Sequence, residues 1–310
     1  MKKSGLLIVT ALVSGLILCG CAGKTATPAV TSQIAGDTQE AAVTVEETEK
    51  QSASPERIVV LTAADCEVVY ALGLGDKIVG RGEYCDYPAE VLDVPSVQSG
   101  YETNIEQIIS LNPDLVLMGS MDQKAEVAEQ LEKVGITTYR SRANNIDEVY
   151  TMIKTISTYL GADAEKKADT LIESLKAGFA DIKGNPISDG TKTVYFEVSP
   201  LQYGLWTAGN GTFMNEAAEM MGLKNCFDDV TGWAEISEEQ VLERNPDYIV
   251  TVSMYYGEGP TPEEEILART GWENVTAVKE KKILNLRDNE LSRPGPRLLD
   301  GVKALYEFAR

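Results

Sequence analysis

The sequence holds no histidine among its 310 residues. That absence excludes a Ser-His-Asp triad, a His-ligated zinc site and a His-ligated haem. Any chemistry must come from carboxylates, Tyr, Cys, Lys or Arg. Positive charge is also scarce, with 28 Lys and Arg against 48 Asp and Glu and a net charge of −20. Phosphate binding needs clustered Lys and Arg to release counterions, so nucleic acid is excluded as a partner. No apolar stretch reaches the roughly 20 residues that span a bilayer. Of five cysteines, Cys19 and Cys21 lie near the N-terminus, and Cys66, Cys85 and Cys226 are an odd set that cannot form a complete disulfide framework. These three read as small buried side chains. What is present suffices for a fold. Hydrophobic residues make up 43% of the chain, which rules out wholesale disorder, and the length fits two modest domains.

Residues 1–20 read as a secretory signal. Met1-Lys2-Lys3 is a short positive start, and residues 5–18 are an unbroken run of small and apolar side chains. Leu18-Cys19-Gly20-Cys21 resembles a bacterial lipobox, in which Cys21 is lipidated and becomes the mature N-terminus. Residues 21–56 contain no aromatic residue and no apolar period, so they are expected to form a flexible tether rather than a core. These features imply an extracytoplasmic protein, lipid-anchored to the outer face of the cell membrane.

Beyond residue 56, strand and helix patterns alternate. Residues 57–61 (Arg-Ile-Val-Val-Leu), 77–80, 114–118 and 137–140 read as strands, and residues 65–72, 104–111 and 124–134 as helices. Alternation of this kind implies parallel strands in an α/β layer. A long helical stretch from 146 to 183, nicked at Gly161, precedes a second series that opens with a strand at 192–196. The expected architecture is two similar α/β lobes with parallel sheets, over 57–160 and 186–310, joined by one long rigid helix over 161–185.

The two halves also repeat. Residues 104–116 lie on 237–249 at a constant offset of 133, with Glu, Gln and Asn-Pro-Asp identical. The Asn104/Gln107 and Ser237/Gln240 pairs look like capping boxes, and Asn-Pro-Asp ends each helix and turns the chain into a strand. Glu106 and Glu239 fall near the second position of these helices, where the helix dipole by itself favours an acid.

Lipobox, tether, two lobes and a single connecting helix resemble the substrate-binding proteins of ATP-binding-cassette importers, specifically the group for cobalamin and iron complexes. The resemblance is carried by residues 57–62 (Arg-Ile-Val-Val-Leu-Thr), Asp86-Tyr87-Pro88, 104–108 (Asn-Ile-Glu-Gln-Ile), 112–116 (Asn-Pro-Asp-Leu-Val), 237–242 (Ser-Glu-Glu-Gln-Val-Leu) and 293–297 (Arg-Pro-Gly-Pro-Arg), and covers 57–310. It implies a monomeric receptor, not an enzyme, with no intrinsic cofactor and a ligand cleft between the lobes. Its cargo would be a metal chelate: a cobalamin-type corrinoid, a ferric siderophore or haem. Its partner would be a permease dimer with its ATPase, and Glu106 and Glu239 occupy the places of the glutamates that pair with permease arginines.

In open α/β sheets ligands sit beyond the strand ends. Tyr84, Tyr87, Tyr101, Trp206, Trp233, Tyr255 and Tyr256 fall on such loops and are the aromatic candidates for the cleft. Tyr84, Trp206 and Trp233 resemble aromatic positions of the cobalamin cleft. Arg81, Arg287 and Arg293 follow strands and could neutralise an anionic chelate. Asn289 stands where cobalamin binders carry an acid. Haem ligated through a Tyr oxygen stays open. Bare zinc or manganese is disfavoured, because the related ion binders rely on His. Two other functions compete. A surface-anchored hydrolase could use paired carboxylates without histidine, but Glu106 and Glu239 lie on outer helices of different lobes, too far apart to share one bond. A structural or adhesive protein should show many repeats or a stalk.

Overall fold

The computed structural model describes residues 54–255, 257–287 and 289–310. The expected signal, the expected lipidation site Cys21, most of the expected tether and Tyr256 lie outside the described residues.

Strand β1 (Ile58–Val60) is β-branched throughout and fully buried, as a central parallel strand covered on both faces should be. After it come α1 (Ala63–Ala71), β2 (Ile78–Gly82), β3 (Ser96–Val97), α2 (Ile105–Ser110), β4 (Leu115–Gly119), α3 (Ala125–Lys133) and β5 (Thr137–Ser141). The strands form one parallel sheet in the order β3-β2-β1-β4-β5, with Ile58 opposite Leu115 and Val60 opposite Leu117. Since all five strands run the same way, their C-terminal ends share one edge.

Helix α4 (Ile146–Leu160) starts where the Asn145 side chain accepts from the Glu148 N–H, and it stops at Gly161, whose φ of 101° few other residues adopt. Helix α5 (Ala162–Gly184) then runs 23 residues, about 35 Å at 1.5 Å per residue. At one end Lys167 Nζ donates to the Leu72 carbonyl at 2.9 Å, in the N-terminal lobe. Further along, Gly178 does not break the helix. A side chain there would collide with Leu299 of the C-terminal lobe, so glycine permits a close approach.

The second lobe contains β6 (Thr193–Ser199), β7 (Trp206–Ala208), α6 (Phe213–Met220), β8 (Lys224–Asn225), β9 (Trp233–Glu235), α7 (Glu238–Arg244), β10 (Tyr248–Thr251), α8 (Pro262–Leu267), α9 (Thr276–Lys279), β11 (Ile283–Asn285) and α10 (Leu298–Ala309). Strands β6, β8, β10 and β11 pair in parallel, as expected, but β7 returns antiparallel to β6 and β9 antiparallel to β7. This sheet is therefore mixed. Only residues 200–205 link β6 to β7, and a parallel crossover needs a dozen or more.

The Asn-Pro-Asp repeat has a shared structural job. Asn112 and Asn245 take the left-handed conformation, with φ of 46° and 44°, that turns each chain out of its helix. Asp114 then accepts from the backbone N–H groups of Glu56 and Arg57 at 2.8 and 2.9 Å, pinning the start of β1. Asp247 does the same for β6, accepting from Thr193 N at 2.9 Å and pairing with Lys192 Nζ at 2.7 Å.

One apolar core runs through both lobes: Val60 of β1, Ile153 of α4, Phe179 of α5, Phe196 of β6 and Leu299 of α10 belong to a single buried cluster. Cys66, Cys85 and Cys226 are buried and free. A hydrogen bond with Cys85 and then burial push the Cys66 thiol up, and burial pushes Cys226 up to about 11, so both are held as thiols. Among the described residues no helix is long and apolar enough to cross a membrane.

Candidate functional site

A cavity of about 550 Å³ opens at the C-terminal edge of the first sheet. The loop after β1 brings Leu61 and Thr62, the loop after β2 brings Tyr84, and the turn after β3 brings Ser99 and Tyr101. Met121 and Asp122 follow β4, and Ser141 and Arg142 come from the end of β5. Across from them stand Ser292, Arg293 and Pro294 of the second lobe, so the cavity lies between the lobes. Tyr84, Tyr101 and Met121 are 66%, 70% and 71% exposed, large apolar surfaces offered to whatever occupies the space. Lys124 Nζ sits 3.8 Å above the Tyr101 ring and steadies it. Gln123 is buried and ties the β4 turn together, accepting from Gly119 N at 2.6 Å and donating to the Ser99 carbonyl.

Beneath this surface lies a carboxyl that the sequence reading did not single out. Asp65 of α1 is fully buried, and its Oδ2 accepts from Ser141 Oγ at 2.8 Å. The neighbouring Thr62 hydroxyl, with that of Ser141, acts to hold the Asp65 carboxyl down, while Ser120 Oγ is buried with no partner among the described residues. Burial, and then the charge of Asp122, push the Asp65 carboxyl up to about 7.

Of the expected cleft residues, Tyr84, Tyr101 and Arg293 come together in this cavity. The Arg293 guanidinium is committed within the protein: it bonds Glu67 Oε1 at 3.1 Å, Asp86 Oδ1 at 2.6 Å and the Tyr84 carbonyl at 3.2 Å. Arg297 holds the same Glu67 through two bonds of 3.0 and 2.7 Å and covers the Tyr87 ring at 3.9 Å. Glu67 is 3% exposed, so this is a buried ion-pair knot joining the lobes and fixing the Tyr84–Tyr87 segment.

The other expected residues are dispersed. Tyr255 lines a second cavity of about 490 Å³ in the C-terminal lobe, with Tyr203, Glu258 and Pro260, and its hydroxyl donates to the Gly259 carbonyl at 3.2 Å. That cavity rests on Glu197 and Glu265, both held by the buried Arg269. Trp206 is 40% exposed at the start of β7, and Trp233 on β9 meets the Phe213 ring edge-on at 5.3 Å. Neither lines the two cavities. Arg81 donates to the Val94 and Gly82 carbonyls along the sheet, and Arg287 is exposed. Asn289 takes a left-handed φ of 62° and its carbonyl accepts from the backbone N–H groups of Ser292 and Arg293, which shapes the loop that delivers Arg293.

Sequence reasoning missed Asp65, Asp122, Met121 and Arg142. The last three follow strands that were correctly anticipated, so the strand-end rule would have found them had it not been applied to aromatic side chains first. Asp65 carried no signal, because an acid in the first turn of a helix reads as a dipole partner.

Glu106 and Glu239 both project from their helices into solvent. On α7, Ser237 and Gln240 form the full reciprocal capping box; on α2, Asn104 accepts from Gln107 N, but the Gln107 side chain turns to Gln98 N instead. The backbone N–H of Glu239 and then Ser237 hold the Glu239 carboxyl below its usual range. Its neighbour Glu238 is occupied by the Trp272 indole at 2.8 Å, leaving Glu239 as the outward acid.

The sequence pattern of the periplasmic binding protein family matches residues 58–290. The chain is 37% identical to the uncharacterized ABC transporter substrate-binding lipoprotein YvrC of Bacillus subtilis (strain 168), over 99% of this chain and 97% of that one. The fold is similar to the crystal structure of a "possible" iron-binding (periplasmic solute-binding) protein of Staphylococcus epidermidis ATCC 12228, with a TM-score of 0.69 and 32% identity over 83% of this chain and 99% of the other. It is also similar to the periplasmic vitamin B12 binding protein BtuF of Vibrio cholerae, with a TM-score of 0.64 and 27% identity over 82% and 96% of the two chains.

Proposed function

The chain belongs to the periplasmic binding protein family, and on that premise we propose that it captures a metal chelate in the interlobe cleft and delivers it to an ATP-binding-cassette permease. Family membership makes it a solute-binding protein and not an enzyme, so the hydrolase drops out. The observation that carries the chelate reading is the cavity of about 550 Å³ between the lobes, walled by the exposed rings of Tyr84 and Tyr101. That volume suits a compact ligand or one face of a large one, and aromatic rings suit a broad, greasy macrocycle. Similarity to a vitamin B12 binding protein and to a protein described as a "possible" iron-binding one supports corrinoids and ferric complexes as the ligands to test. Cys21 carries the lipid anchor, residues 21–56 the tether, and Glu106 and Glu239 contact one permease subunit each.

The test is a thermal-shift panel of cyanocobalamin, cobinamide, haemin and ferric siderophores. A ligand at 1,000 times its dissociation constant adds about 4 kcal/mol of stability and raises the melting temperature accordingly. No shift with any member would overturn the reading.

A further inference from the structure

The internal repeat continues past the strands. Ser120-Met121, just beyond β4, falls on Ser253-Met254, just beyond β10, at the same offset of 133 that relates the helices and strands before them. Both methionines are exposed, while Met118, Met152, Met214 and Met221 are buried and Met220 is half-buried. One apolar side chain left at the surface is ordinary, but two at positions related by a repeat share a cause. Each turn is held at its serine: Ser120 N donates to the Ser141 carbonyl at 2.9 Å, and Ser253 N donates to Thr251 Oγ1 at 3.2 Å. Each methionine also lines a cavity beside two tyrosines, Met121 with Tyr84 and Tyr101 in the first, Met254 with Tyr203 and Tyr255 in the second.

The edge that carries Met254 is turned toward the cleft. Strands β10 and β11 are parallel, so both end on one edge of the second sheet, and the chain beyond β11 carries Ser292, Arg293 and Pro294 into the first cavity. The cavities, of about 550 and about 490 Å³, thus open on sheet edges that both border the space between the lobes.

We propose that Met121 and Met254 are a matched pair of ligand contacts, one from each lobe, that touch opposite sides of a single bound chelate. The proposal rests on the chelate-binding reading above. A thioether on an unbranched chain adapts to an irregular surface and packs well on π systems, so one residue type serves two unlike sides of a ligand. Covering both side chains removes apolar surface from water in each lobe at once, which links the lobes through the ligand. The pair therefore selects a chelate with an apolar or π surface on both sides.

The test is a methionine footprint of the full chain. Hydrogen peroxide adds one oxygen to an exposed thioether, and mass spectrometry of the digest reads the rate at each site. The probes are dicyanocobinamide, gallium(III) protoporphyrin IX and the gallium(III) complex of desferrioxamine B, the gallium replacing iron so that no probe consumes peroxide. Without a probe, Met121 and Met254 should oxidise ahead of the buried methionines. A probe that binds should slow both sites together, and Met121→Ala and Met254→Ala should each weaken that probe by about fivefold with the melting temperature unchanged. Protection of one methionine only, or of neither, by a probe that binds overturns the pairing while the chelate reading stands. Wild-type affinity in either folded Ala variant overturns it as well. Binding of none of the probes, nor of haemin or any ferric siderophore, removes both.

Discussion

Asp65 sits in the first turn of α1, fully buried, with Ser141 as its hydrogen-bond donor and no cation bonded to it among the described residues. Its carboxyl is pushed from an ordinary 3.8 up to about 7, so between those values the folded chain holds a proton that the unfolded chain has lost. Stability from this group is therefore complete below about pH 4 and declines as the pH rises through 7. Asp65→Asn removes the dependence. Urea unfolding from pH 4 to 8 should show the variant gaining on the wild type by roughly 2–4 kcal/mol across that window. Parallel stability curves would mean that the acid is not left alone in the native state. The residue scale is also where sequence was least informative. Arg293 was singled out for the cleft, and it is there, but nothing local revealed that Glu67 and Asp86, 226 and 207 residues away, would occupy its guanidinium.

At the scale of elements, most of the fold was legible because hydrophobic period is a local property. The strand at 57–61, the helices after it and the break at Gly161 were all readable from spacing, and Asn-Pro-Asp announced itself by repetition. What repetition could not show is why the Asp recurs. Its partners, at Arg57 and Thr193, lie 57 and 54 residues earlier, at the start of each lobe's first strand. The short strands β7, β8 and β9 escaped notice because two or three residues carry no period, and with them went the antiparallel half of the second sheet. Helices α2 and α7 carry the docking proposal. Both Glu106 and Glu239 are exposed and, among the described residues, make no bond to another element, so replacing both by Arg should leave folding and ligand affinity nearly intact, with only the modest loss expected on removing an acid from a helix N-terminus. Uptake by reconstituted vesicles containing the permease should be lost, because charged rim contacts set encounter and orientation. Unimpaired uptake in that double variant would leave the two acids as helix-terminal residues only.

At the scale of the whole molecule the lobes are joined more firmly than by a single helix. The knot of Glu67 with Arg293 and Arg297 ties them on one side of the cleft. Elsewhere Phe213 N donates to the Asn144 carbonyl at 2.7 Å, and Ile146 N donates to Glu216 Oε2 at 2.8 Å, fastening the start of α4 to α6. With an apolar core continuous through both lobes, wide hinge opening would have to break all of these. The cleft is therefore largely preformed, and its exposed rings wait for a ligand rather than for each other. The most direct test is a calorimetric titration with the chelate that gives the largest shift in the thermal panel, on the wild type and on the Tyr84→Ala, Tyr101→Ala double variant. The account predicts saturable one-to-one binding by the wild type, and a loss of roughly 1–3 kcal/mol per removed ring in a variant that still folds. Binding by the folded double variant with wild-type affinity would contradict it and put the ligand somewhere other than between the lobes.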